Sequence, residues 1–161
     1  MNAIKMLKKQ HQEVAKMFEE FDSAKSAGAR RKIFEEIADA LAVHAAIEEQ
    51  HFYPAVKEEQ TEDILLQSVE EHLEIKRAIA DLLAMDADDG DFGEKVKALQ
   101  EEVDHHVEEE QDALFPKVEK LLDAETLEAI GEAMEETQAE LISAGSPRDA
   151  VLSETDAAAP I

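Results

Sequence analysis

The sequence predicts an all-α fold: a four-helix bundle of up-down-up-down topology, followed by one extra C-terminal helix and a flexible tail. Glycine and proline are scarce, with 5 and 4 of 161 residues, whereas Ala, Leu, Glu and Lys, which favour helices, are abundant. Apolar residues recur at alternating steps of three and four over four long segments. This pattern is typical of helices that bury one face in an antiparallel bundle.

We expect helices over about residues 2–25, 29–57, 62–85 and 92–122, and a shorter helix over about 124–143. Suitable N-cap residues precede four of them: Asn2, Thr61, Asp91 and Asp123. Short connections make neighbouring helices antiparallel. The expected organisation is a bundle over residues 1–122, an additional helix over 123–144, and a disordered tail over 145–161, where small and polar residues prevail.

Composition excludes several classes of function. The formal net charge of −24 disfavours contact with phosphate backbones and anionic lipid, so we expect no nucleic-acid and no membrane partner. The absence of cysteine excludes disulfides, thiolate zinc sites, iron–sulfur clusters and cysteine nucleophiles. The first ten residues carry no long apolar run and predict neither a signal peptide nor a membrane span. A cytoplasmic protein is therefore expected.

Polar residues interrupt the apolar faces of all four long helices at similar heights. The six positions are His11, His44, Glu48, His72, His106 and Glu110. Buried glutamates are almost never left unpaired, and we expect no lysine or arginine on these stretches of the apolar faces. The pattern therefore predicts metal ions between these side chains.

The spacing of the six residues indicates one shared site. His44 and Glu48, like His106 and Glu110, are four residues apart and so lie on one helix face. Each pair is followed by an aromatic residue and a proline, and the two halves of the chain match in order. We interpret the chain as a duplicated helical hairpin that brings the six side chains to a common centre.

The ligand set favours a redox-active pair of ions. Imidazole and carboxylate without sulfur suit iron or manganese, and zinc also fits. If both carboxylates bridge two ions and an oxide or hydroxide joins them, one or two coordination positions stay open. The sequence therefore predicts two iron ions with a bridging oxo or hydroxo group, open to a small diatomic or peroxide ligand.

Three further residues leave alternatives open. His51 falls on the same helix face three residues after Glu48, and Tyr53 falls on the opposite side of a straight helix, although Pro54 can distort that turn. Both are candidates for an additional ligand. His105 is expected on the solvated side, because pairing it with Glu110 would require a local bulge.

Over about residues 6–118 these motifs resemble the hemerythrin-like family, whose members carry histidine–histidine–glutamate cation-binding domains. The resemblance implies a non-haem, oxo-bridged di-iron site that binds or reacts with O₂, peroxide or NO. Two positions depart from the oxygen-carrying members: Lys76 stands in place of a histidine and Gln111 in place of an aspartate. Stable, reversible O₂ carriage is therefore not expected. Whether the chain is an enzyme stays open, with catalase-like peroxide activity as one alternative.

Other functions compete with this prediction. A ferritin-like di-iron bundle would need Glu-x-x-His on two helices, and only the stretch from Glu48 to His51 matches. An iron- or oxygen-sensing regulatory domain would expose its last helix or its tail when the site empties. An acidic helical interaction module without metal would explain the charge but not the buried glutamates. Monomer and homodimer both stay open.

Overall fold

The computed structural model describes residues 1–161, and every regular element in it is helical. The elements are α1 (Ala3–Ser23), α2 (Ala27–Ile47), a π-helical segment (Glu48–Phe52), α3 (Tyr53–Val56), α4 (Glu62–Leu83), α5 (Phe92–Glu109), a second π-helical segment (Glu110–Leu114), α6 (Phe115–Leu121), α7 (Ala124–Ser143) and α8 (Arg148–Val151). The predicted all-α bundle with an additional helix is confirmed. None of these helices combines the length and the apolar character that crossing a bilayer requires.

Local sequence signals explain where several helices begin. The side chain of Asn2 accepts from the backbone N–H groups of Ile4 and Lys5, and that of Asp123 accepts from Thr126 N–H. Thr61, in contrast, makes no side-chain cap bond at the start of α4. Its hydroxyl donates to the carbonyl of Val56, 2.8 Å away, and so closes the turn between α3 and α4.

Two apolar clusters form the core, one towards each end of the bundle. The cluster that includes Tyr53 and Phe115 contains the buried residues of α1 between positions 3 and 7. The cluster at the opposite end contains those between positions 14 and 21. The same division recurs in α4, between residues 65–69 and residues 75–82. His11 and His72 lie in these gaps, so a polar layer crosses the middle of the bundle.

Each π-helical segment changes the register of the helix that follows it. The N–H of Tyr53 donates to the carbonyl of Glu48, and the N–H of Phe115 donates to that of Glu110, five residues earlier in both cases. One extra residue turns the following side chains by about 100° relative to a straight α-helix. Without this change the helix face that carries Leu41 and Glu48 would continue to Ala55, but Ala55 is exposed and Val56 is buried.

Helix α7 packs on the outside of α1 and α2. Leu127 and Met134 are buried in this contact. The N-terminal amine of Met1 donates to the carboxylate of Glu135 at 3.1 Å. A Cβ atom added at Gly131 would lie 1.7 Å from the carbonyl oxygen of Met1, so this close approach requires glycine.

The tail follows the surface of the bundle. Helix α8 brings Val151 into the apolar cluster that contains Phe18 and Phe34, and Val151 is 1% exposed. The guanidinium of Arg148 pairs with Asp39, with an N–O distance of 2.8 Å. These contacts give part of residues 145–161 an ordered place on the bundle. The mobility of this tail in solution stays a prediction.

Candidate metal centre

The bundle brings the six predicted residues together in its middle layer. All are buried, from 0% exposed for Glu48 and Glu110 to 7% for His11. They form two groups of three, and within each group the candidate ligand atoms lie within 4.8 Å of one another. We refer to His11, His44 and Glu110 as the first cluster and to His72, His106 and Glu48 as the second cluster.

The two carboxylates connect the clusters. Glu110 Oε1 lies 3.2 Å from His11 Nε2 and 3.4 Å from His106 Nε2. Glu48 Oε1 lies 2.9 Å from His44 Nε2 and 3.3 Å from His72 Nε2. Each carboxylate therefore faces one histidine of each cluster, the placement that a carboxylate shared by two cations needs.

Three buried atoms at this centre, His44 Nε2 and both carboxylate oxygens of Glu48, make no well-formed hydrogen bond. His44 Nε2 and Glu48 Oε1 are only 2.9 Å apart, but the hydrogen of the neutral His44 ring is on Nδ1, where it bonds to Gln10. In addition, the Nε2 atoms of His72 and His106 face each other at 3.0 Å. Leaving such polar atoms unsatisfied in a dry interior is costly. A cation would satisfy them together, so the donor set fits a metal ion.

Amide side chains orient the imidazoles of the first cluster. His44 Nδ1–H donates to Gln10 Oε1 at 2.7 Å, and His11 Nδ1–H donates to Gln111 Oε1 at 2.9 Å. The amide nitrogen of Gln10 donates to Gln138 Oε1 at 2.6 Å, which turns the oxygen of Gln10 towards His44. Both rings therefore present Nε2 to the centre.

Carboxylates orient the imidazoles of the second cluster. His72 Nδ1–H donates to Glu49 Oε2 at 2.8 Å, and His106 Nδ1–H donates to Glu71 Oε1 at 2.8 Å. An ionised carboxylate only accepts, so both rings must carry hydrogen on Nδ1. These contacts again leave Nε2 for the centre.

The centre attracts positive charge. Burial alone would lower the pKa of His72, but the carboxylates of Glu48 and Glu49 raise it to about 10. Burial would raise the pKa of Glu71, but the hydrogen bond from His106 lowers it to about 2. Burial also opposes ionisation of Glu48, and the neighbouring His44 nevertheless holds its pKa well below the ordinary value.

Tyr53 lies in the centre, although the sequence places it on the opposite side of a straight helix. The π-helical segment turns it inward. Its hydroxyl donates to Glu110 Oε2 at 2.9 Å and lies 3.2 Å from His72 Nε2. Burial, with the nearby Glu110 and Glu48, raises the pKa of Tyr53 well above its ordinary value.

His51 and His105 stay outside the centre. The same register change turns His51 towards α7, where His51 Nε2 and Thr137 Oγ1 are 2.7 Å apart. The structure thus does not bring this candidate ligand to the two clusters. The side chain of His105 is 64% exposed and lies 3.3 Å from Glu109 Oε1.

Comparison with known proteins identifies the family. The family model described as the hemerythrin HHE cation-binding domain matches residues 2–118. This chain belongs to the hemerythrin HHE family. The HHE fold also matches a solved structure. The crystal structure of an HHE cation-binding domain-containing protein from Mycobacterium kansasii has a TM-score of 0.79, with 95% of this chain and 98% of that chain covered at 20% identity.

A relative from Nostoc shares the HHE region with a longer protein. This protein, named as a DNA nickase, is 27% identical over 128 residues, which are 80% of this chain and 36% of the Nostoc protein. The HHE chain thus spans about a third of the length of that relative.

Gln111 and Lys76, the two positions that depart from the oxygen-carrying pattern, lie on the outer side of the imidazoles: Gln111 contacts His11 directly, and Lys76 contacts His72 only through Glu49. Gln111 accepts from His11, as described above. Lys76 Nζ donates to Glu49 Oε1 at 2.8 Å. Lys76 is only 6% exposed, so the expectation that no lysine lies on this stretch of the helix face is wrong. The carboxylate of Glu49 makes its burial possible.

A small cavity borders the HHE centre on the side of α8. Its volume is about 30 Å³, and all four histidines of the two clusters line it. Val151 of α8 and Lys76 of α4 are among its lining residues. A cavity needs a volume of roughly 10–15 Å³ to hold one water molecule, so this cavity has room for a molecule of one or two heavy atoms.

Proposed function

We propose that this HHE chain holds a non-haem di-iron centre with a bridging oxide or hydroxide, which binds or reacts with O₂, peroxide or NO. The first cluster would hold one ion and the second cluster the other, with Glu48 and Glu110 shared between them. The observation that carries the proposal is the convergence of six buried ligand side chains, of which His44 Nε2 and both oxygens of Glu48 make no well-formed hydrogen bond.

The donor set supports iron as the resident metal. Imidazole nitrogens and carboxylate oxygens without sulfur suit iron and manganese, and zinc also fits. A bound iron pair would supply electrons and open coordination positions for small oxygen and nitrogen molecules. The chain's own contribution is to fix each Nε2 towards the centre through its Nδ1 contact and to keep bulk water out with the flanking apolar clusters.

Tyr53 is proposed as an additional ligand on the side of the second cluster. Its hydroxyl lies 3.2 Å from His72 Nε2 and 3.4 Å from His106 Nε2. Because its pKa is raised, the hydroxyl keeps its proton, and it donates a hydrogen bond to Glu110. The corresponding residue of the second hairpin is Phe115, which stacks on His11 with ring centroids 6.1 Å apart and cannot act in this way.

Histidine variants test the centre. His106→Ala should reduce the iron bound per chain, whereas His105→Ala changes an adjacent but exposed histidine and should leave the iron content unchanged. Equal iron content in both variants and the parent would refute the site.

The catalase-like reaction has its own test. O₂ release from hydrogen peroxide by the iron-loaded protein would support this reaction, and the absence of O₂ release would exclude it.

A sensing role is the second candidate, and the tail carries it. Val151 lines the cavity next to the clusters, so the packing of α8 is in direct contact with the surroundings of the metal. In this account the tail leaves the bundle when the centre empties. Limited proteolysis of residues 124–161 should then be faster without metal than with it. Equal cleavage rates would argue against sensing through this segment.

The activity named for the Nostoc relative does not suit this chain. The net charge of −24 of this chain would repel a phosphate backbone, and most of the relative's length has no counterpart here. An acidic helical interaction module is the outcome that remains if no metal binds.

A further inference from the structure

The two hairpins of the bundle contribute matched ligands but unlike partners to them. Gln10 precedes His11, whereas Glu71 precedes His72 at the corresponding position of the second hairpin. In the same way Glu49 follows Glu48, whereas the residue after Glu110 is Gln111. Three-dimensional contacts sort these four residues by cluster: the two amides face the histidines of the first cluster and the two carboxylates face those of the second.

The carboxylates act from partly buried positions. The side chains of Glu49 and Glu71 are 10% and 17% exposed, so solvent screens their charges only weakly. Lys76 balances one of them, because its ammonium lies 2.8 Å from Glu49 Oε1. The second cluster therefore has one more negative charge around its histidines than the first cluster has.

A hydrogen bond to a carboxylate makes an imidazole a stronger metal ligand than a hydrogen bond to an amide does, since the carboxylate stabilises positive charge on the ring and on the bound ion. Both histidines of the second cluster have such a partner, and neither histidine of the first cluster has one. The polar Tyr53 also lies beside the second cluster, where the first cluster has Phe115.

We propose that the two metal positions are unequal: the second cluster binds its ion first and more tightly, and the first cluster holds an exchangeable ion. This inference rests on the proposed two-ion centre and deepens it. A chain with one retained and one exchangeable ion passes between one-ion and two-ion states as the free metal concentration changes. Glu71 and Gln10 are the positioning residues that set this difference.

Zinc titration of the metal-free protein by calorimetry at constant pH tests the proposal. We expect two resolved steps, with affinities at least about tenfold apart, because partners of metal-bound histidines typically change affinity by about 10–100-fold. Glu71→Gln should weaken the tight step about tenfold or more and leave the weak step in place. Gln10→Glu should strengthen the weak step by a similar factor.

Two ligand variants assign the steps to positions. His106→Ala should remove the tight step, and His44→Ala should remove the weak one. Glu70→Gln, an exposed neighbour on the same helix, is the matched control and should change neither. The opposite directions expected for Glu71→Gln and Gln10→Glu separate the effect from damage to the fold, which can only weaken binding.

Failure of the inference and failure of the proposed function give different results. The inference would be overturned if two zinc ions bound with equal affinities, or if neither Glu71→Gln nor Gln10→Glu changed the two steps. Either result would leave the proposed two-ion centre intact. Loss of the tight step in His44→Ala instead of His106→Ala would reverse the assignment and also overturn the inference. Fewer than two zinc ions per parent chain would contradict the proposed function itself.

Discussion

The Nε2 atoms of His72 and His106 lie 3.0 Å apart in the middle of the bundle, and the Nδ1–H of each ring donates to a carboxylate. Because those carboxylates cannot donate in return, neither ring can turn a hydrogen inward without losing its partner. Two lone pairs would then face each other unless a proton or a metal ion lies between them. This geometry favours a positive charge between the two rings.

Stability of the metal-free protein should therefore depend on pH above neutrality. The pKa of His72 rises from 6.5 to about 10 in the folded chain. The stabilisation from its protonated ring is complete below pH 6.5, the ordinary value, and is lost as pH rises through about 10. Urea unfolding of the metal-free protein should show a decreasing free energy of unfolding between these limits.

His72→Asn provides the control for this prediction. The variant lacks the titrating ring but keeps the other groups that deprotonate near pH 10. Its free energy of unfolding should change less with pH than that of the parent. Parallel pH profiles for the two proteins would contradict the assignment of the proton to His72.

The packing of α7 should depend on Gly131. A Cβ at this position would overlap the carbonyl oxygen of Met1, 1.7 Å away, so Gly131→Ala must displace backbone. Overpacking of this kind typically costs about 1–3 kcal/mol, which chemical denaturation can measure. Gly28→Ala is the matched control, because no atom lies within 4 Å of its added methyl group. Equal stabilities of the two variants would refute the close contact.

The proposed role of Tyr53 has a spectroscopic signature. If its oxygen is a ligand, the iron-loaded parent should show a visible tyrosinate-to-iron charge-transfer band. Tyr53→Phe should lose this band, while the iron content per chain stays at the parent's level because the six other ligands remain. A parent spectrum without such a band, or one that Tyr53→Phe leaves unchanged, would exclude tyrosine ligation.

Access to the centre should depend on Val151, because this residue of the tail lines the cavity beside the histidines. Val151→Ala removes two methyl groups from that wall and should make the transfer of bound zinc to a chelator severalfold faster. Leu152→Ala changes the next residue, which is 55% exposed, and should leave the transfer rate at the parent's value. If both variants release zinc as the parent does, the exchange path lies elsewhere.

The fold and the six central residues were predictable because helical periodicity shows polar residues on otherwise apolar faces. His11 and His72 interrupt helical rows of mostly apolar residues, and the duplicated order of the hairpins places the interruptions at one height. Such regularity needs no knowledge of tertiary contacts. The structure brings all six side chains together at that height.

The register changes were not predictable from the same periodicity. A π-helical segment adds one residue to a turn, and in the sequence only the proline after each aromatic residue indicates where this extra residue lies. As a result Tyr53 and Val56 face inward, whereas His51 and Ala55 do not.

Two partners of the imidazoles, Glu71 and Gln10, were not predicted. Each precedes a central histidine, and long side chains beside a buried position usually extend into solvent. Which imidazole they reach depends on the spacing between packed helices. The tail is a similar case: its composition predicts disorder, whereas the burial of Val151 depends on a groove that the other helices form.

The central claim is most directly tested by the iron content per chain of protein expressed in iron-rich medium, with an absorption spectrum of the same sample. We predict about two irons per chain and near-ultraviolet oxo-to-iron charge-transfer bands. A colourless protein without bound metal, unchanged by anaerobic addition of iron, would contradict the di-iron centre and leave an acidic helical interaction module.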